Sequence, residues 1–290
     1  MKSKFNNPYL ISCEELLGQL EDPELRIFDC TQQLVADPKV FVRAESCFQE
    51  YLEAHIPGAD YIDIKSDLSD ASTRWRYMMP EPENLIAAFA RYGIGKGTRV
   101  VLYDSGSMMW AARVWWLLRN IRFDDAVILD GGLQRWRITG KTFCNKLCKY
   151  EEAEPINFDK TRELLVDHSA VLRVLKRQDT VVVNALTREQ FTGGGIHYGR
   201  PGRISGSVCV PARELTDKET GLLKRPEELG RLFAGAGVDL IKPIICYCGG
   251  GIAATLDAFV LILLGATDVV VYDASLQEWA LNGNLPMETG

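Results

Sequence analysis

The chain has 290 residues, and at about 100 to 200 residues per domain this length favours two domains over one. Hydrophobic residues make up 47% of the sequence and charged residues 25%, which excludes a largely disordered or fibrous protein. The 33 basic and 39 acidic residues give a net charge of −6, which argues against a nucleic-acid partner bound by phosphate neutralisation. A small anionic partner stays open, because it needs only a local group of arginines.

No targeting or membrane signal is visible in the sequence. The N-terminal stretch lacks the apolar run of about 7 to 15 residues of a secretory signal, and the longest apolar run, 258–266, is too short to span a membrane. We therefore expect a cytoplasmic protein without a membrane partner. The eight cysteines are then expected to be mostly reduced and buried, and not to form a disulfide framework. Cys144 and Cys148 form a CxxxC pair with no second pair of ligands, so no metal site is predicted.

The sequence contains one domain twice. Residues 80–104 align without gaps to residues 224–248, at a constant offset of 144 that pairs Asp104 with Cys248. Three further segments match in the same order: RIFDC with VVVNA, AHIPGA with GRISGS, and DGGLQRW with DASLQEW. A repeat of this kind indicates two copies of one fold. We predict domains at 1–140 and 161–290, joined by a charged linker at 141–160.

The second copy shows its elements most clearly. In chain order, the pattern predicts a helix over 169–177, a strand over 180–184, a helix over 226–236, a strand over 243–247, a helix over 255–264 and a strand over 268–272. Strands that alternate with helices of about ten residues predict an α/β fold. We expect two similar domains, each a mostly parallel sheet with helices on both faces.

The end of the strand at 243–247 carries the candidate nucleophile. Cys248 follows this strand in the second copy, whereas the first copy has Asp104 there. Three consecutive glycines between a strand and a helix let the backbone N–H groups turn inward around an anion and favour a thiolate. The loop predicted to bind substrate and persulfide consists of Gly249, Gly250, Gly251, Ile252 and Ala253.

Taken together, the two repeats, the HIPGA segment, the strand-end cysteine in the second copy alone and the DGGLxxW-type segments resemble the tandem-domain rhodanese sulfurtransferases. The resemblance covers about residues 9–282. It implies an inactive first domain, in agreement with Asp104, and a Cys248 that carries sulfur as a persulfide. No cofactor is implied. Ala254 stands where related phosphatase loops have an arginine, which argues against phosphoryl chemistry.

The resemblance leaves the substrates open. The leading interpretation takes a small anionic sulfur donor, thiosulfate, and passes the sulfur to cyanide or to a thiol such as thioredoxin or glutathione. The alternatives are 3-mercaptopyruvate as donor, or a noncatalytic persulfide carrier. The loop CGGGIAA matches neither the mercaptopyruvate-type CGSGVTA nor the CRKGVT of animal rhodaneses.

The substrate-binding positions depart from the family pattern. Family members have arginines where this chain has Leu186 and Gln190, so Arg188 and Arg200 are the nearest candidates for binding an anionic donor. Asp63 matches a first-domain aspartate of the mercaptopyruvate enzymes. Their nearby histidine is replaced here by tyrosine at position 77, which favours thiosulfate.

Overall fold

The computed structural model describes residues 8–37, 41–156, 160–177 and 179–290. Residues 157–159 of the predicted linker and the first seven residues of the predicted N-terminal domain lie outside these ranges. Within the described ranges, no helix has both the length and the apolar character needed to cross a membrane.

The first half of the chain forms one five-stranded parallel sheet, with the strand order β1-β7-β6-β2-β5, and one separate hairpin, β3-β4. Its strands are β1 (Leu10–Ile11), β2 (Leu25–Asp29), β3 (Gln32–Asp37), β4 (Phe41–Ser46), β5 (Ala59–Tyr61), β6 (Arg99–Tyr103) and β7 (Ala126–Leu129). Its helices are α1 (Cys13–Leu17), α2 (Phe48–Glu53), α3 (Ile64–Asp67), α4 (Pro82–Arg91), α5 (Met109–Asn120) and α6 (Gly132–Ile138).

The second half repeats this arrangement. Its five-stranded sheet is also parallel and has the order β8-β13-β12-β9-β11, beside a short antiparallel pair, β10-β14. The strands are β8 (Leu165–Val166), β9 (Val181–Asn184), β10 (Arg203–Ile204), β11 (Val208–Cys209), β12 (Ile244–Tyr247), β13 (Val269–Tyr272) and β14 (Met287–Glu288). The helices are α7 (His168–Arg177), α8 (Arg188–Thr192), a 3-10 turn (Ala212–Glu214), α9 (Pro226–Gly235), α10 (Ala253–Leu263) and α11 (Ser275–Trp279).

Each sheet is covered on both faces, as the alternation of side chains along β6 shows. Val100 and Leu102 lie in the core that also contains α4 and α5, whereas Val101 and Tyr103 lie in the core beside α1 and α6. Neighbouring residues of a strand point to opposite faces, so one strand contributes to two cores. The predicted fold class, two similar parallel α/β domains with helices on both faces, is confirmed.

The equivalent helices α5 and α10 pack against each other and join the two domains. Trp115 of α5 meets Phe259 of α10 edge to face, with ring centroids 4.9 Å apart. Both helices are almost entirely buried, so each covers its own sheet on one side and the partner helix on the other. Because each helix follows the loop after strand β6 or β12, this packing brings both loops to the domain interface.

Candidate active site

Cys248 directly follows the carboxyl end of β12, is separated from the N-terminus of α10 by the loop residues 249–252, and is 3% exposed. Its backbone N–H donates to Oγ of Ser275 at 3.1 Å, and its carbonyl oxygen accepts from the N–H of Leu276 at 3.1 Å. The start of α11 therefore fixes the position of this residue. Open parallel sheets bind ligands at this end of their strands, where a helix N-terminus also favours negative charge.

A small cavity of about 80 Å³ opens on Cys248. Both domains line it, because the β3-β4 hairpin and the start of α5 face the loop of the second domain. Most of its walls are apolar. The lining residues are Leu34, Ala44, Arg76, Tyr77, Met109, Trp110, Leu186, Tyr198, Cys248, Gly249, Gly250, Ile252 and Ala253.

The ring of Tyr198 lies directly against the loop. A Cβ placed on Gly249 would lie 1.9 Å from Cζ of Tyr198, so only glycine fits at this position without displacing the ring. Burial raises the pKa of Tyr198 to about 12, and the nearby Cys248 adds to the rise while Arg76 opposes it. The phenol therefore stays protonated at neutral pH and presents a hydroxyl beside the cavity.

Arg76 is the one charged residue among the described residues that line this cavity. Gln277 holds its backbone on both sides, since Oε1 accepts from the Arg76 N–H at 3.1 Å and Nε2 donates to its carbonyl oxygen at 2.9 Å. The same Gln277 side chain packs against Gly250 of the loop. The backbone of this first-domain arginine is thus fixed relative to the cysteine loop. Sequence reasoning missed Arg76, although the neighbouring position 77 had been singled out.

A buried ion pair joins the domains beneath the loop. Nη1 of Arg113 lies 2.7 Å from Oδ1 of Asp273, and neither side chain is more than 5% exposed. Arg113 also donates to the carbonyl oxygens of Gly251 and Tyr77, and the N–H of Met79 donates to Oδ2 of Asp273 at 2.8 Å. The ion pair therefore ties the loop to the first-domain segment that presents the cavity cation.

Asp104 shows what the loop of the first copy binds. Its Oδ1 accepts from the N–H groups of Gly106 and Met108 at 2.9 and 3.0 Å, and its Oδ2 accepts from those of Trp110 and Ala111 at 3.0 and 3.3 Å. Burial raises the pKa of this carboxyl, and the four N–H donors oppose the rise. In the first copy, an internal carboxylate thus fills the concave side of the loop.

The loops of the two copies differ in their backbone. The left-handed residue is Met108 in the first copy, with a φ of 65°, and Gly251 in the second, with a φ of 77°. A Cβ on Gly251 would lie 2.5 Å from the carbonyl oxygen of Asp273, so this glycine permits both the turn and the close approach of the next strand.

The structure gives the predicted arginines other partners. Arg200 donates from Nε and Nη2 to the carbonyl oxygens of the α11 end and the segment behind it, at 2.6 to 3.2 Å. Nη2 of Arg188 pairs with Oε2 of Glu214 at 2.9 Å. Neither residue is among the described residues lining the Cys248 cavity. Donor binding by these two side chains stays a prediction.

Asp63 also lies outside the set of described residues that line this cavity. Its Oδ1 accepts from the N–H groups of Lys65 and Ser66 and so caps α3. Gln190, at one of the missing arginine positions, caps α8 together with Thr187, whereas Leu186 at the other position lines the cavity. Within the described residues, no three histidine, cysteine or acidic side chains cluster as a metal site would require.

Four buried cysteines are poor candidates for the nucleophile. Burial raises the pKa of Cys246 well above its ordinary range and that of Cys209 to about 12. Burial also raises the pKa values of Cys13 and Cys47, to about 11. These thiols stay protonated at neutral pH, and the thiol is a much weaker nucleophile than the thiolate.

Comparisons with known proteins agree with this arrangement. The rhodanese-like domain model matches residues 12–139 and again residues 168–282. The 3-mercaptopyruvate sulfurtransferase of Escherichia coli strain K12 is 31% identical over 97% of this chain and 98% of its own length. That of Mus musculus is 34% identical over 93% and 91%. The thiosulfate/3-mercaptopyruvate sulfurtransferase 1 of Arabidopsis thaliana is 31% identical over 97% and 78%.

A solved structure shows the same fold. The crystal structure of SseA from Escherichia coli, described as a 3-mercaptopyruvate sulfotransferase with the rhodanese fold, superposes with a TM-score of 0.80 and 30% identity, covering 93% of this chain and 99% of that one. The repeated fold and both sets of matches lead to one conclusion: the chain belongs to the rhodanese family, as a tandem-domain sulfurtransferase.

Proposed function

We propose that the protein takes a sulfur atom from 3-mercaptopyruvate onto Cys248 and passes it to a thiol. The observation that carries this proposal is the cavity at Cys248, which combines apolar walls with one cation, Arg76. The names of the relatives from Escherichia coli and Mus musculus support the same donor. They favour it over thiosulfate, the donor that the sequence pattern placed first.

The charge of the donor gives a physical reason for this choice. 3-Mercaptopyruvate carries one carboxylate on a short carbon chain, whereas thiosulfate is a compact dianion. Each charge that leaves water for an apolar site costs free energy unless it meets a partner. One arginine matches one carboxylate, and the aromatic and aliphatic walls match the carbon chain.

The reaction follows from the position of the nucleophile. The thiolate of Cys248 attacks the donor sulfur, the carbon–sulfur bond breaks, and its electron pair leaves on carbon as the enolate of pyruvate, which takes up a proton. The new sulfur–sulfur bond leaves a persulfide on Cys248. We propose that Arg76 holds the donor carboxylate and that the protonated hydroxyl of Tyr198 donates to its keto oxygen.

The negatively charged persulfide needs its own stabilisation. We propose that the N–H groups of residues 249–253 and the N-terminus of α10 supply it. Asp104 supports this role, because the equivalent loop of the first copy surrounds a carboxylate with four N–H donors. In the second copy, the persulfide takes the place that the Asp104 carboxyl occupies in the first copy.

Steady-state kinetics with both donors test the proposal. With a dithiol acceptor, we expect kcat/KM for 3-mercaptopyruvate to exceed that for thiosulfate by about tenfold or more, the equivalent of one poorly compensated charge. Cys248→Ser is expected to abolish pyruvate release, and Cys144→Ser is the matched control that keeps it. Thiosulfate is the second candidate donor, favoured by Tyr77 in place of the family histidine and by the name of the Arabidopsis relative.

A preference for thiosulfate by the same factor would overturn the assignment of the donor but keep Cys248 as the sulfur carrier. Turnover that survives in Cys248→Ser would overturn the nucleophile itself. Absence of turnover with both donors, in wild type and Cys248→Ser alike, would favour a noncatalytic persulfide carrier.

A further inference from the structure

A second cavity adjoins the Cys248 cavity on the first-domain side. Its volume is about 230 Å³, and the two cavities share Ala44, Arg76 and Tyr77 as walls. The other walls come from α3, from the segment between α3 and Arg76 and from β4. We call this space the outer cavity. Its described lining residues are Arg43, Ala44, Lys65, Ser69, Asp70, Ala71, Thr73, Arg74, Trp75, Arg76 and Tyr77.

The outer cavity is rich in cations. Lys65 and Arg74 line it and form no ion pair within the part of the chain that the structure describes. Arg43 is already paired with Asp37 and Glu45 at 3.2 and 2.6 Å, so it adds little net charge. The guanidinium of Arg74 stacks 4.0 Å from the centre of the Trp75 ring, an arrangement that favours a defined position for the charge.

This local charge opposes that of the whole chain. The protein carries a net charge of −6, so its overall field repels anions. Lys65 and Arg74 outnumber Asp70, the single acidic residue among the described walls of the outer cavity. A ligand that carries carboxylates meets an attractive field here, whereas an uncharged ligand gains nothing from it.

We propose that the outer cavity binds the carboxylates of the sulfur acceptor, a small thiol with more than one carboxylate, for which glutathione is the probe. This inference rests on the proposed function, because it concerns the second half of the same reaction. The thiolate of the acceptor attacks the outer sulfur of the persulfide. The sulfur–sulfur bond breaks, its electron pair returns to Sγ of Cys248, and the outer sulfur leaves as the persulfide of the acceptor.

The two half-reactions use the cavities in turn. In a ping-pong cycle, pyruvate leaves before the acceptor enters, so Arg76 faces the donor first and the acceptor afterwards. Lys65 and Arg74 line the outer cavity but are not among the described residues of the Cys248 cavity. Their removal should therefore slow the acceptor step and leave the donor step unchanged.

The test replaces both cations and measures the two half-reactions separately. In Lys65→Gln/Arg74→Gln, we expect kcat/KM for glutathione to fall about tenfold, since one exposed charge contributes about two- to fivefold. We expect kcat/KM for 2-mercaptoethanol and the rate of persulfide formation from 3-mercaptopyruvate to stay within about twofold of wild type. Lys96→Gln/Lys242→Gln removes the same charge from exposed sites elsewhere and should leave all three values unchanged.

The outcomes separate this inference from the proposed donor. An unchanged kcat/KM for glutathione in Lys65→Gln/Arg74→Gln would overturn the acceptor site, as would an equal loss with 2-mercaptoethanol or in the Lys96→Gln/Lys242→Gln control. If 3-mercaptopyruvate does not load wild-type Cys248, the donor proposal fails. The acceptor step is then measured on enzyme loaded with thiosulfate or inorganic polysulfide, and the same comparison decides it.

Discussion

Replacing Arg113 by methionine tests how the two domains hold the cysteine loop. The guanidinium is fully buried, lies 2.7 Å from the carboxylate of Asp273 and donates to two carbonyl oxygens. Removal of one partner from a buried ion pair costs about 3–5 kcal/mol, because the other charge stays buried without compensation. Asp273 keeps one donor, the Met79 N–H, so we expect Arg113→Met to lower the free energy of unfolding by about 3 kcal/mol, near the lower end of that range.

Urea denaturation, followed by fluorescence and by circular dichroism, measures this loss. Asp273→Asn removes the other charge, and the double variant Arg113→Met/Asp273→Asn completes a cycle. Because the two side chains are in direct contact, the double variant should lose less stability than the sum of the two single variants. Pyruvate release should also fall in Arg113→Met, since the ion pair positions Gly251. A loss below about 1 kcal/mol, with additive single effects, would refute the role of the ion pair.

Further predictions concern glycines, the first-copy loop and pH. Gly249→Ala is expected to lower the free energy of unfolding by about 1–3 kcal/mol and to remove most of the turnover, because the new Cβ overlaps the Tyr198 ring. At Gly230 a Cβ meets nothing within 4 Å, so Gly230→Ala should stabilise α9 by about 0.5–1 kcal/mol in the same urea assay. In Asp104→Asn, the side-chain NH2 group faces two of the four N–H donors and cannot accept from them, which should lower the free energy of unfolding by about 1–3 kcal/mol. An unchanged urea midpoint would contradict the description of the loop. Burial raises the pKa of Asp29 from 3.8 to about 6, so its contribution to stability is present below pH 4 and is lost as the pH rises through 6. Between pH 4 and pH 7, the free energy of unfolding should therefore fall more in wild type than in Asp29→Asn. The two decreases should differ by up to about 3 kcal/mol.

The repeated α/β fold was predictable because it depends on local patterns. The apolar strand at 243–247 and the helix after it have periodicities that are visible in the sequence. The helix α10 differs from the prediction only at its ends, since it begins at Ala253 instead of residue 255. The hairpin β3-β4 was missed because the corresponding stretch of the second copy, between β9 and β10, contains α8 and no strand, so the repeat gives no signal for it.

The cavity was harder to predict because its walls come from distant parts of the chain. Cys248 and its glycines are adjacent in the sequence, so the anion-binding loop can be predicted from this short segment alone. Arg76 faces the cysteine because α5 packs against α10 and brings the two domains together, whereas Tyr198 reaches the loop from a distant segment of the second domain. Arg200 stays a predicted donor ligand from its position beside the GRISGS segment, and its donation to backbone carbonyls at the end of α11 is a contact that sequence spacing does not reveal.

The most direct test of the whole account is the site of the transferred sulfur. The protein is incubated with 3-mercaptopyruvate without acceptor, its thiols are blocked, and its peptides are mapped by mass spectrometry. We predict a gain of one sulfur atom on the peptide that contains Cys248, released on addition of glutathione, and no gain in Cys248→Ser. Sulfur found on another cysteine, or retained by Cys248→Ser, would contradict the central claim that Cys248 carries the sulfur.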